Sequence, residues 1–220
     1  MTADLLPLFP LNTVLFPGVP LPLHVFEPRY RTLFDELTAL EGPKRFGVIA
    51  IRHGLEVGDD EQPVLHEVGC VAELRNASRF ADGRYDVVGV GGPRFRLRAV
   101  DDERPYLRGS VEYLPEELGA APEAVTAAVL SAFTDYWVAV ATARGDEPGD
   151  PPALPGDDPA LVSYVIAAAM RLDLPEKQEL LVVPDTTSRL RRVLSLLRRE
   201  TALIGATPAE VPTEGPFSLN

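Results

Sequence analysis

Five prolines, Pro7, Pro10, Pro17, Pro20 and Pro22, fall inside one apolar stretch, residues 5–26. Proline fixes φ and carries no backbone N–H, so it breaks a helix and cannot donate to an interior sheet ladder. The stretch is therefore expected to form edge or interrupted strands joined by turns, with Pro17-Gly18 as a turn signal. Leu21, Leu23 and Val25 alternate with Pro22 and His24, which predicts a short strand.

A helix should follow. Pro28 suits its first turn, where a missing N–H costs nothing. Tyr30, Leu33, Phe34, Leu37 and Leu40 recur at helical spacing, and Gly42-Pro43 ends the pattern. Strand candidates come next: Phe46–Ile51, then 65–74 with His66, Val68, Cys70, Ala72 and Leu74 on one face. Tyr85–Val90 runs into Gly91-Gly92-Pro93, a hairpin or bulge. Phe95, Leu97 and Ala99 alternate with Arg94, Arg96 and Arg98, and Leu107, Gly109, Val111 and Tyr113 close the series. Short strands, turn signals and one helix indicate a compact β barrel or twisted sheet.

The pattern changes near Pro115. Residues 122–143 are Ala-rich and helix-forming. Residues 145–159 are crowded with proline, glycine and acid and read as a mobile loop. Asp158-Pro159 suits a helix start, Pro175 opens a shorter helix, and Thr186 to Ser188 can cap a last one. Leu190, Val193, Leu194, Leu197 and Ile204 would form its inner face. The expectation is an α+β chain: a β domain over 1–114, a small helical bundle over 115–205, and a loose tail over 206–220.

Charge bounds the partners. The net charge is -12, and residues 114–188 hold 3 Lys/Arg against 13 Asp/Glu. Such a segment repels phosphate backbones, which disfavours nucleic acid. Cys70 is the sole cysteine, so no intrachain disulfide forms, compatible with a cytoplasmic setting. The first residues show no basic segment followed by an apolar run, so no signal peptide is expected. No run of about 18 uncharged apolar residues is visible, so no membrane span is expected.

Three stretches carry a resemblance. Leu6-Pro-Leu-Phe-Pro-Leu-Asn-Thr-Val-Leu-Phe-Pro-Gly18, followed by Leu21-Pro-Leu-His-Val-Phe-Glu-Pro-Arg-Tyr-Arg31, resembles the opening of the Lon substrate-binding (Lon N-terminal) domain, most of all in small stand-alone bacterial proteins without ATPase or protease domains. Val88-Gly-Val-Gly-Gly-Pro-Arg-Phe-Arg96 is similar to that family's glycine turn and Arg-Phe strand, and Pro175 to Leu181 to its short late helix. The resemblance implies a PUA-like β fold for about 1–113 with a helical extension. It also implies binding of unfolded or extended polypeptide without catalysis. The first turn and the helix after it are expected to be exposed, making Leu11, Phe16, Arg29 and Tyr30 candidate peptide-binding residues.

The residues themselves offer little chemistry. Lys44 and Lys177 are the only lysines and neither follows a glycine, so no P-loop exists. No serine stands at a known spacing from Lys177 for a Ser-Lys pair. Cys70, with His24, His53 or His66 as base, is a candidate nucleophile, but its place on an apolar strand face predicts an inert core thiol. His66 and Cys70 would stand about 13 Å apart along a strand, too far to share a metal. No cofactor or metal is expected. Arg94, Arg96 and Arg98 on one strand face are the best nucleic-acid feature, although a solvated face paired with acids such as Glu73 or Asp86 explains them more simply. Glu27 is expected to favour the helix start and pair with an arginine. Two further readings stay open: a hydrolase with its site between the two halves, and RNA binding through the arginine stripe.

Overall fold

The computed structural model describes residues 5–53, 63–151, 154 and 156–206. In chain order these form β1 (Leu6–Leu11), β2 (Pro20–Val25), α1 (Pro28–Ala39), β3 (Arg45–His53), β4 (Val64–Leu65), β5 (Val68–Arg79), β6 (Tyr85–Asp101), β7 (Arg108–Tyr113), α2 (Pro122–Arg144), α3 (Pro159–Ala169), α4 (Leu174–Val182) and α5 (Thr186–Ala206). The fold is α+β, as the pattern predicted.

The sheet runs β1-β7-β6-β5-β3 and closes on itself because β1 also pairs with β3. Of the two expectations for the first strand, edge or interrupted, closure leaves the interrupted one. β1 meets β7 only through Leu6 and Pro7, and meets β3 only from Leu8 to Leu11. Pro7 and Pro10 thus each face one paired neighbour, and neither needs a donor on its other side. Gly91-Gly92-Pro93 is a bulge rather than a hairpin. β6 is a single 17-residue strand, and its pairing with β5 jumps between Cys70↔Arg94 and Ala72↔Gly91.

The first half of β6 reaches past the barrel. There it pairs with β2 on one side and with the end of β5 on the other: Val88 stands opposite both Pro22 and Asn76. α1 covers this region. Tyr30, Leu33, Phe34 and Leu37 pack with Phe9, Val25, Phe46 and Tyr85. Phe9 and Tyr30 stack at 4.2 Å, and Phe34 meets Phe46 edge-on at 5.3 Å. The barrel interior is a smaller group of Leu6, Leu8, Ile49, Val71 and Phe95.

The helices build a second core from Val129, Phe133, Tyr136, Val162, Ile166, Leu181, Leu190, Val193, Leu196 and Leu197. Asp158 caps α3 by accepting from the Ala160 N–H at 3.0 Å, as its position predicted. α5 departs from the sequence reading: Asp185, not Thr186 to Ser188, accepts at its start, from the Ser188 N–H at 2.8 Å. Asp173 caps α4 in the same way. Residues 146–151 have no regular structure, and the Gly149 carbonyl accepts from the Trp137 indole. Parts of the anticipated 145–159 loop, and the anticipated tail beyond Ala206, lie outside the described residues.

The membrane expectation bears on α2. It is long and apolar enough, by length and composition, to cross a membrane, and 22% of its most apolar window is buried. The sequence reading sought an uninterrupted apolar run, and Ser, Thr and one Asp scattered through α2 hid the average. Among the described residues it is the one such helix.

Candidate functional site

The structure places three of the four expected binding residues in the core. Leu11, Phe16 and Tyr30 are buried, so the exposure expected of them is absent. Leu11 and Tyr30 belong to the layer under α1. Phe16 crosses to the other half and packs in the helical core, 6.1 Å from the Tyr164 ring. Burial of such a ring stabilises by about 1.5–3 kcal/mol, which makes Phe16 a tie between the halves. Arg29 is half-buried; it pairs with Glu27 at 2.9 Å and lies 4.7 Å over the Tyr30 ring. The pairing expected of Glu27 is therefore present.

Exposed aromatic surface lies instead at the far end of the sheet extension. Phe26, just after β2, is 50% exposed, and Phe80, at the turn between β5 and β6, is 41% exposed. The His24 ring lies between them, 6.5 Å from Phe26 and 6.2 Å from Phe80. Its Nδ1 is 2.7 Å from the Asp86 carboxylate. Arg84 sits 5.8 Å over Phe80 and donates to Asp82 at 2.7 Å. Backbone bonds between Phe80 and Arg84 and from Gly83 to Phe80 lock the turn. Gly83 has φ +84°, and the Arg31 guanidinium occupies the space where a side chain would start, 2.0 Å from that point. The turn is thus held from both sides, and its aromatic residue faces water. The sequence reading missed Phe26 and Phe80. One local signal was there: Phe80 stands two residues before Asp82-Gly83, and a hairpin tip has no core to enter.

A second arrangement fills the cleft between the halves, a space of about 350 Å³ lined in part by Pro17, Arg94, Glu116, Leu161 and Tyr164. It overturns the reading of Arg94, Arg96 and Arg98 as one solvated face. Arg94 is 2% exposed and Arg98 is exposed and paired with Glu112. Arg94 Nη1 donates to the Leu181 and Val183 carbonyls at 2.9 and 2.6 Å, and Nη2 to those of Pro115 and Pro184. Arg94 and Arg96 pair in regular register with Cys70 and Val68, so they share a face as the alternation predicted; Arg94 is buried because Pro115, Leu181, Val183 and Pro184, remote in sequence from it, close over that end of the face.

Arg94 shares Glu116 with Arg189, which is fully buried. The Tyr164 and Thr186 hydroxyls donate to the same carboxylate at 2.5 and 2.8 Å. Arg189 also lies 3.7 Å over the Tyr164 ring and donates to Ser163 Oγ at 2.7 Å. Burial pushes the Glu116 carboxyl upward, but its bonds to Tyr164 and Arg189 and the arginine charge outweigh that and hold it below its ordinary value. Burial, with the bond to Glu116, drives the Tyr164 hydroxyl well above its ordinary value.

Other reactive groups are scattered. Cys70 is buried, and burial raises its thiol far above the ordinary range, so it stays protonated. His66 lies between β4 and β5 rather than on the Cys70 face. Burial lowers Lys177, whose Nζ donates to the Ala168 carbonyl. Among the described residues no group of three or more His, Cys, Asp or Glu is placed to hold a metal.

The chain, a closed β barrel joined to a helical bundle, is similar in fold to Lon N-terminal domains. The chain superposes on a Lon N-terminal domain protein from Xanthomonas campestris with TM-score 0.60 at 24% identity, over 87% of this chain and 98% of that one. The N-terminal domain of Mycobacterium avium complex Lon protease gives TM-score 0.60 at 19% identity, over 89% and 98%. The family model for the ATP-dependent protease La (LON) substrate-binding domain matches residues 5–199, and the chain belongs to that family. Full-length relatives agree. Lon protease 4 of Sorangium cellulosum is 33% identical over 198 residues, 90% of this chain and 24% of that protein. Lon protease 2 of Syntrophobacter fumaroxidans is 30% identical over 86% of this chain and 23% of that protein. The chain spans about a quarter of the length of these relatives.

Proposed function

We propose that this chain captures extended or unfolded polypeptide segments in the cytoplasm and leaves chemistry to other proteins. The observation that carries this reading is the aromatic tip: Phe26, His24 and Phe80 exposed together at one end of a rigid sheet, rimmed by Arg84, Asp82 and Asp86. Exposed rings beside mixed charge suit apolar residues in a client chain and the polar backbone around them. Capture runs through side chains rather than an added strand. β2 pairs with β6 from Pro20 to Val25, so Pro20 and Pro22 fall where their missing N–H points outward, and that edge lacks two donors.

The cleft supports no hydrolase. Glu116 is engaged by Tyr164, Thr186 and both arginines, and its lowered pKa makes it a weak base. Ser163 donates to the Ala160 carbonyl at 2.6 Å and accepts from Arg189, so its oxygen has no base at hand. The cluster holds two halves together. RNA binding is disfavoured because Arg94 is buried and the net charge is -12.

The test is a titration of a fluorescently labelled unfolded polypeptide against the full chain. Saturable binding below about 100 µM is expected, with Phe26→Ser plus Phe80→Ser weakening it about 10-fold or more. Absence of binding at that concentration overturns the reading, and binding that ignores both substitutions moves the site elsewhere.

A further inference from the structure

α2 turns Val129, Phe133 and Tyr136 to the helical core and leaves its other side to solvent. On that side Glu123, Ala127, Leu130, Thr134, Val138 and Ala141 recur at three- and four-residue spacing, which aligns them along one stripe. Leu130 and Val138 are exposed. Thr134 and Thr142 donate their hydroxyls to the Leu130 and Val138 carbonyls of their own helix, so they offer methyl groups outward. From Ala127 to Ala141 the stripe carries no charge.

The stripe reads almost the same from either end. Ala127 and Ala141 stand equally far from Thr134, as do Leu130 and Val138. An acid, Glu123, closes one end and a base, Arg144, the other. We propose that a second copy of this chain docks here, with the two α2 helices antiparallel about a two-fold axis through Thr134. Such a pairing is isologous: each Leu130 meets a Val138, each Ala127 an Ala141, and each Glu123 approaches an Arg144. Antiparallel helix dipoles add to it. Beside α2 lies a groove of about 380 Å³, lined by Glu123, Ala127, Leu130, Leu154 and Asp157 among others. It receives the Arg144 end of the second helix between two acids.

Charge also separates this occupant from a membrane. Residues 114–188 hold 3 Lys/Arg against 13 Asp/Glu, which an anionic bilayer repels. A 23-residue helix gives a face about 34 Å long. That is small for a stable interface, so association is expected at about 10–100 µM.

Sedimentation of the full chain over about 5–300 µM tests this. The mass should rise from 23.9 kDa toward twice that value. Leu130→Glu with Val138→Glu should hold it at the lower mass. Glu123→Arg and Arg144→Glu should each weaken pairing about two- to fivefold, and together restore it. Thr134→Cys, at the axis, should cross-link to a disulfide dimer under mild oxidant far faster than Ala127→Cys. A constant mass, a double charge swap without recovery, equal cross-linking at both positions, or vesicle binding abolished by Leu130→Glu with Val138→Glu overturns the proposal.

Discussion

The tip and the joint use the same three kinds of group in opposite settings. At the tip Arg84 lies 5.8 Å over Phe80 and pairs with Asp82, all three open to water. At the joint Arg189 lies 3.7 Å over Tyr164 and pairs with Glu116, with the arginine and the tyrosine buried. Water screens the first trio, so its groups stay weakly committed and available to a client. Removing water from the second makes every unmet bond costly, so its groups are spoken for. The same chemistry stays open to solvent where it is wet and becomes a fastening where it is dry.

Arg189→Met should give the largest effect, because it strips Glu116 and Ser163 of a buried partner. A loss of about 3–5 kcal/mol is expected, lowering the melting temperature by roughly 10 °C. Polypeptide binding at the tip should persist at temperatures where the variant is folded. Loss of tip binding in the folded variant would break the separation of the two regions.

Acid should act next, through the buried carboxylate of the joint. The folded pKa of Glu116 lies below its ordinary 4.5, so its contribution is fully present above about pH 4.5 and is lost as pH falls through the lowered folded value. Melting curves between pH 7 and pH 3 should show a drop that Glu116→Gln reduces. High salt should change this little. Burial also raises the Tyr164 hydroxyl, which stays neutral throughout that range.

The smallest stability effect belongs to Phe26→Ser with Phe80→Ser. Both rings face water, so melting should shift by no more than about 2 °C while polypeptide affinity falls. A large loss of stability would show that the tip is part of the core and not a surface for clients.

Periodicity marked most elements because it is local. The stripe of Tyr30, Leu33, Phe34 and Leu37 became the buried face of α1, and Leu190, Val193 and Leu197 that of α5. The candidate site was less legible. Leu11, Phe16 and Tyr30 were placed on the surface because they flank a turn, yet α1 and the helical core cover them. Asp82-Gly83 marks the turn beside Phe80, but whether anything packs over that turn is set by groups distant in sequence.

By itself the sequence determined where strands and helices form, that proline confines the first strands to special pairings, and which family the chain resembles. All of these follow from bonds and spacings within a few residues. Only the tertiary structure decided that β1 closes the barrel, that Arg94 is covered and meets Glu116, and that Phe16 belongs to the helical core. Each of these rests on groups distant in sequence, Arg94 with Val183 and Phe16 with Tyr164. Burial, the term that turns an arginine from a surface charge into a fastening, exists only after the chain has closed over it.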